Sequence, residues 1–134
     1  MGRSLIQTAN TSTQNLTEGS NINPGTTIRR YGCNCRLNGN AIEVDGAGYY
    51  TVDAVVTAEA TAAGDISVGV FVNDVAIAGG TSTVTATAIG DNVTIPVLTT
   101  VRQGCQCEGA SNLTLRLLDN DADVTNVSLR VDKE

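Results

Sequence analysis

Between residue 41 and the C-terminus, rows of apolar side chains at every second position recur, and no window keeps helical spacing for more than two turns. Ile42 and Val44 begin the pattern. Tyr50, Val52, Ala54 and Val56 continue it, with Thr51, Asp53 and Val55 on the opposite face. Ile66, Val68, Val70 and Val72 form the next row, followed by Val93, Ile95 and Val97, then Leu113, Leu115 and Leu117, then Val127, Leu129 and Val131. Successive side chains of a strand point to opposite faces, so a sustained period of two predicts half-buried antiparallel strands. The rows are separated by turn-forming runs: Asn38-Gly39, Ala63-Gly64-Asp65, Asn73-Asp74, Gly79-Gly80, Gly90-Asp91-Asn92 and Asp119-Asn120-Asp121. The Ala-rich stretch 54–63 reads as a strand running into a loop, because its Thr and Val content and the Gly64 stop disfavour a helix. Strands at this spacing predict an all-β sandwich or barrel in one domain of 134 residues. Residues 1–27 are rich in Thr, Asn, Gln and Ser and predict an extended N-terminal arm or first strand, with residues 28–134 as the sandwich domain. Ile6, Leu16 and Ile22 are the expected docking anchors of that arm, and Asn23-Pro24-Gly25 is a turn signal.

What the chain lacks narrows its chemistry. It has no His and no Trp, with one Phe and three Tyr. Ser-His-Asp and Cys-His catalysis both need imidazole as proton shuttle, and a cupin-type metal site needs His ligands, so these classes are excluded. The net charge of −6 leaves no basic face for nucleic acid and disfavours an anionic membrane surface. No run reaches the ~20 apolar residues of a membrane helix. The first residues carry no apolar stretch of the kind a secretory signal needs, which leads to the expectation of synthesis in a cytoplasm without export by that route. The Asn-x-Ser/Thr triplets at Asn10, Asn15, Asn92, Asn112 and Asn126 then read as strand composition and not as glycosylation sites.

The most distinctive feature is a pair of Cys-x-Cys segments in similar settings, Gly32-Cys33-Asn34-Cys35 and Gly104-Cys105-Gln106-Cys107. In a strand, each pair offers two thiols on one side. Three readings compete, with structural disulfides between the pairs in front. Such a bond would close a loop of ~70 residues and constrain the unfolded chain by roughly 4 kcal/mol in the entropy model. A four-thiolate zinc site comes second, since one-residue spacing is less usual than two to four. Free packed thiols are the third reading. The acidic run Asp119, Asp121 and Asp123 resembles an oxygen-rich calcium loop without an EF-hand's length or remote Glu; a solvated turn is the plainer reading. Asp45 and Asp53 lack any other element of a sugar-cleaving cleft. Arg29 and Arg30 beside Tyr31 form a small basic spot suited to an acidic partner, or an ordinary loop edge.

Ala41-Ile42-Glu43-Val44 followed by Gly48-Tyr49-Tyr50-Thr51-Val52 resembles the "I-x-V…G-x-Y-x-V" step of the tumour-necrosis-factor-like and complement-globular-head jelly rolls. Val72-Asn73-Asp74-Val75-Ala76-Ile77 is similar to their "V-N-G-x-x-I" hairpin, Leu113-Thr114-Leu115-Arg116 to "V-T-L-R", and Asn126-Val127-Ser128-Leu129-Arg130-Val131 to the closing "N-A-S-L-x-V" strand. The arm 7–22 resembles the first strand. The closest style is that of bacterial and phage versions: head-fibre or capsid-decoration proteins, and C-terminal domains of spore-surface collagen-like glycoproteins. The chain departs from the animal members in its aromatic-poor core and has no Gly-X-Y stalk. The resemblance implies an antiparallel jelly roll of roughly eight to ten strands and a homotrimer. It also implies a non-enzymatic role on a virion surface, bound to the major capsid protein or another virion component and in reach of host surface glycans. A spore- or cell-surface adhesion module is the alternative.

Overall fold

The computed structural model describes residues 4–103 and 111–133. Within them lie twelve strands: β1 (Leu5–Asn10), β2 (Gln14–Leu16), β3 (Asn21–Ile22), β4 (Thr26–Tyr31), β5 (Cys35–Asn38), β6 (Ala41–Val44), β7 (Gly48–Ala60), β8 (Gly64–Val72), β9 (Val75–Ala86), β10 (Asn92–Gln103), β11 (Ser111–Leu118) and β12 (Ala122–Lys133). Ten of them have four or more residues; the other two, β2 and β3, are short pieces of the polar N-terminal segment.

The strands form two antiparallel sheets. One has the order β10-β7-β12-β1-β4, with β2 added on β12; the other has the order β5-β6-β11-β8-β9, with β3 added on β11. We call them sheets A and B. Neighbours in a sheet are often far apart in sequence, as in β1 with β12 and β6 with β11, and most connections cross between the sheets. That is the jelly-roll arrangement, in which the chain passes back and forth between two packed sheets.

The alternation sorts the side chains. Tyr50, Val52, Ala54, Val56 and Ala58 of β7 face the rows Val93-Ile95-Val97 of β10 and Val127-Leu129-Val131 of β12, and all are buried. From sheet B, Ile42, Val44, Ile66, Val68, Val70, Leu113, Leu115 and Leu117 close the other side of one continuous core. The core is filled by Val, Ile, Leu and Ala, with Tyr50 the largest fully buried side chain. Such small, branched residues suit two twisted sheets packed about 10 Å apart.

The polar N-terminal segment is woven into this sandwich. In β1, Ile6 registers with Val131 and Thr8 with Leu129, so the strand lies between β12 and β4. Gly25 lets β4 approach: its φ is +91°, and a Cβ there would overlap the Ala9 carbonyl oxygen. The β8–β9 hairpin turns at Asn73 (φ 50°) and Asp74 (φ 66°), a left-handed pair of the kind that two-residue hairpins require.

Candidate functional site

The outer face of sheet A carries the most telling surface. On β7 the outward residues are Tyr49, Thr51, Asp53, Val55, Thr57 and Glu59; on β10 they are Thr94, Pro96, Leu98, Thr100 and Arg102. Register sets them in rows across the sheet. Pro96, Val55, Ser128 and Ala9 form one row of small or apolar groups. Leu98, Asp53, Arg130 and Gln7 form the next, and Thr100, Thr51, Asp132 and Leu5 the one beyond. Leu98 is 69% exposed and Val55 37%, while Pro96 between them also faces outward. A flat patch of branched and small side chains can accept another flat surface closely, and apolar area left open on a sheet is a mark of an interaction site. The adjacent apolar pairs Val55-Val56 and Val97-Leu98 are the sequence signal for it, because one member of each pair must face out of phase with the core row.

The expected docking anchors lie elsewhere. Ile6 and Ile22 are buried in the core and Leu16 packs half-buried against it. Ile6 and Ile22 pack into the sandwich, because β1 and β3 pair with β12 and β11 and turn these side chains inward.

Cys33 and Cys35 are free thiols in the structure, Cys33 exposed and Cys35 buried. Cys105 and Cys107 lie outside the described residues. The segment between the thiols is firmly held. Asn34 Nδ2 donates to the Asp45 carbonyl at 2.5 Å, Asp45 N–H donates back to the Asn34 carbonyl at 2.8 Å, and Ser4 Oγ donates to Asn34 Oδ1 at 2.6 Å. Arg30 Nε donates to the Cys35 carbonyl at 2.7 Å. Burial pushes the Cys35 thiol up to about 11, against the favourable pull of the Arg30 cation. Burial likewise raises the Tyr50 phenol to about 12; its hydroxyl donates to the Gly46 carbonyl at 2.8 Å and the Asp45 carbonyl at 3.1 Å. Cys35 registers with Val44, and Val44 with Ser111, so this thiol lies two strand spacings, about 10 Å, from the first described residue after position 110.

The acidic run does not converge on one point. Asp119 (φ 74°) accepts from the Ser67 hydroxyl of β8. Asp121 accepts from the Glu18 backbone N–H at 2.7 Å, on the β2–β3 side. Asp123 sits within β12, opposite Glu59 of β7 and Asn15 of β2. The run therefore spans a turn that ties three elements together. Among the described residues, no group of three or more His, Cys, Asp and Glu side chains is placed to share a metal ion. On the outer face of sheet B, Arg116 stacks over Phe71 with its guanidinium carbon 4.2 Å from the ring centroid and pairs with Asp74 at 2.8 Å.

No protein-family model matches the chain, and no curated protein sequence matches it. Solved structures do. Murine APRIL aligns over 98% of this chain and 99% of its own at a TM-score of 0.78 with 9% identity. The globular domain of zebrafish complement 1qA covers 95% and 94% at 0.71 with 5% identity. The PRD1 vertex protein P5 covers 98% and 96% at 0.52 with 12% identity. These likenesses show the tumour-necrosis-factor-like and complement-head jelly roll over almost the whole chain.

Proposed function

We propose that this chain is a structural and adhesive module that works as a homotrimer on the exterior of a phage particle, as a head-fibre or capsid-decoration protein docked on the major capsid protein or another virion component. The observation that carries the reading is the outer face of sheet A, where Val55, Pro96 and Leu98 form an open apolar patch on a rigid sandwich. A second copy of the same chain is the occupant that fits it. The patch is flat and made of small side chains, and the Asp53–Arg130 row beside it carries both signs of charge, so like copies need not repel there. The fold agrees with such a role, because it presents loops and edges outward from a closed apolar core. Among the fold's solved examples is a phage vertex protein, which supports the virion setting. The acidic surface, with net charge −6, suits a protein that must stay soluble on a particle and avoid nucleic acid.

Light scattering of the purified chain tests the assembly: the expected mass is three times 13.8 kDa, and a stable monomer refutes it. Labelling the protein in particles purified from the producing cells tests the setting. Label regularly spaced on virions is the expected result; label on spores or cell envelopes overturns the virion assignment and leaves the assembly reading intact.

A further inference from the structure

At the other edge of sheet A, away from the assembly patch, lies an open cavity of about 550 Å³ lined by Leu5, Arg29, Tyr31 and Gly32. The four come together through register. Leu5 pairs with Tyr31 and Gln7 with Arg29 across the β1–β4 ladder, so all face the outer side of the sheet. β4 is exposed along its whole length. The ladder shifts register at Ile28, and a bulge together with two arginines discourages a further strand from pairing on this edge. What the edge presents for recognition is therefore side chains.

The chemistry of those side chains is specific. Arg36, Arg116 and Arg130 are each paired with a carboxylate, to Glu43, Asp74 and Asp132. Among the described residues, Arg29 has no carboxylate in ion-pair range. Its guanidinium is nonetheless held on two sides: Nε donates to Gln7 Oε1 at 3.1 Å, and the group lies over the Tyr31 ring at 5.9 Å from the centroid. With Nε occupied, the two terminal amino groups remain as a fork, the geometry that takes a carboxylate in two parallel hydrogen bonds. Tyr31 is 55% exposed and offers a flat apolar face with a polar tip. Gly32, at φ 71°, has no side chain to obstruct close approach to the backbone. Leu5 lines the cavity but is itself buried, so the described lining offers no apolar well for a long hydrophobic group.

We propose that this corner is a binding site for a carboxylate-bearing pyranose, a sialic or uronic acid unit, with the carboxylate on Arg29 and the C–H face of the ring on Tyr31. A flat ring carrying one negative charge matches the aromatic plane, the fork and the shallow floor together; a peptide C-terminus would use the fork and leave the plane empty. The overall negative charge of the chain argues against long polyanions and for single acidic units. One such shallow site should bind in the range of about 1 mM, which repetition over a particle surface would amplify. The proposal deepens the adhesive part of the function above, and it is tested on the isolated protein, so its failure leaves the assembly reading standing.

The test is amide chemical-shift titration of the full chain with N-acetylneuraminic acid and with glucuronic acid. Glucose, acetate and a short peptide with a free C-terminus serve as comparison arms. Both acidic sugars should shift Leu5 and residues 29–32, with glucose, acetate and peptide at least tenfold weaker. Arg29→Ala should abolish the shifts, and Arg29→Lys should weaken them less. Tyr31→Ser should bring the acidic sugars down to the level of acetate. Both side chains are exposed, and the variants' own spectra report whether the fold is kept. Absent shifts, equal shifts with glucose, equal shifts with acetate or the peptide, or unchanged binding by a folded Arg29→Ala chain would each overturn the proposal.

Discussion

Replacing Leu98 by Asp separates the face that assembles from the face that merely happens to be apolar. Leu98 projects from β10 on the outer side of sheet A and is 69% exposed in the protomer, so an Asp there leaves the core untouched. Burying a whole leucine side chain is worth roughly 1.5–3 kcal/mol, and the share still open on Leu98 corresponds to about 1–2 kcal/mol per copy. Three copies in a closed trimer would forfeit about 3–6 kcal/mol, a drop of roughly two to four orders of magnitude in the association constant. Three introduced carboxylates brought out of water would add to the loss. Sedimentation velocity over a concentration series reads this directly: Leu98→Asp should run as a folded monomer where the parent chain is a trimer. Two controls carry equally open apolar groups elsewhere, Ile89 at 74% in the β9–β10 loop and Val75 at 66% beside the β8–β9 turn. Ile89→Asp and Val75→Asp should assemble like the parent. If Leu98→Asp assembles at the parent's concentration, or either control disrupts assembly as strongly, the outer face of sheet A is not the interface.

Other expectations concern the protomer. Gly25→Ala should cost on the order of 1–3 kcal/mol in denaturant unfolding, because the new Cβ meets the Ala9 backbone at a left-handed φ; an unchanged midpoint would show that β4 can shift freely. Asp123→Lys should raise stability by about 0.2–1 kcal/mol, since Asp123 stands directly opposite Glu59 and the change turns a like-charge pair into an opposite one; a fall in the melting temperature contradicts it. Cys35 has its folded pKa raised from 9.0 to about 11. Its contribution is complete below pH 9 and declines as pH rises toward 11, a loss on the order of 2–3 kcal/mol that Cys35→Ala should remove from the alkaline limb of the stability curve. Intact mass after alkylation of the native protein, with and without reductant and chelator, should show Cys33 modified quickly and Cys35 only on unfolding. A native protein in which Cys33 reacts only after reductant reports a disulfide, one in which it reacts only after chelator reports a metal site, and either result contradicts the free thiol described for Cys33.

The class of fold and the lining of the core were legible in the order of the amino acids. A period of two is a local property, read from neighbours two residues apart. It therefore marked Tyr50, Val52, Ala54 and Val56, or Leu113, Leu115 and Leu117, as buried faces without knowledge of any partner. The absence of His excluded whole classes of catalysis by chemistry alone. What depends on pairing between distant strands became visible in the fold alone. The polar composition of residues 1–27 hid the fact that Ile6 opposes Val131 and that Ile22 opposes Leu115, since one apolar residue among many polar ones carries no period to detect. The same holds for the acidic turn, where Asp119 and Asp121 are close in sequence and are drawn to partners on opposite sides by elements 52 and 103 residues away. It holds for Arg29 as well. Its charge is visible in the sequence, but its fork is oriented by Gln7 across the β1–β4 ladder, a contact fixed only when the two strands meet.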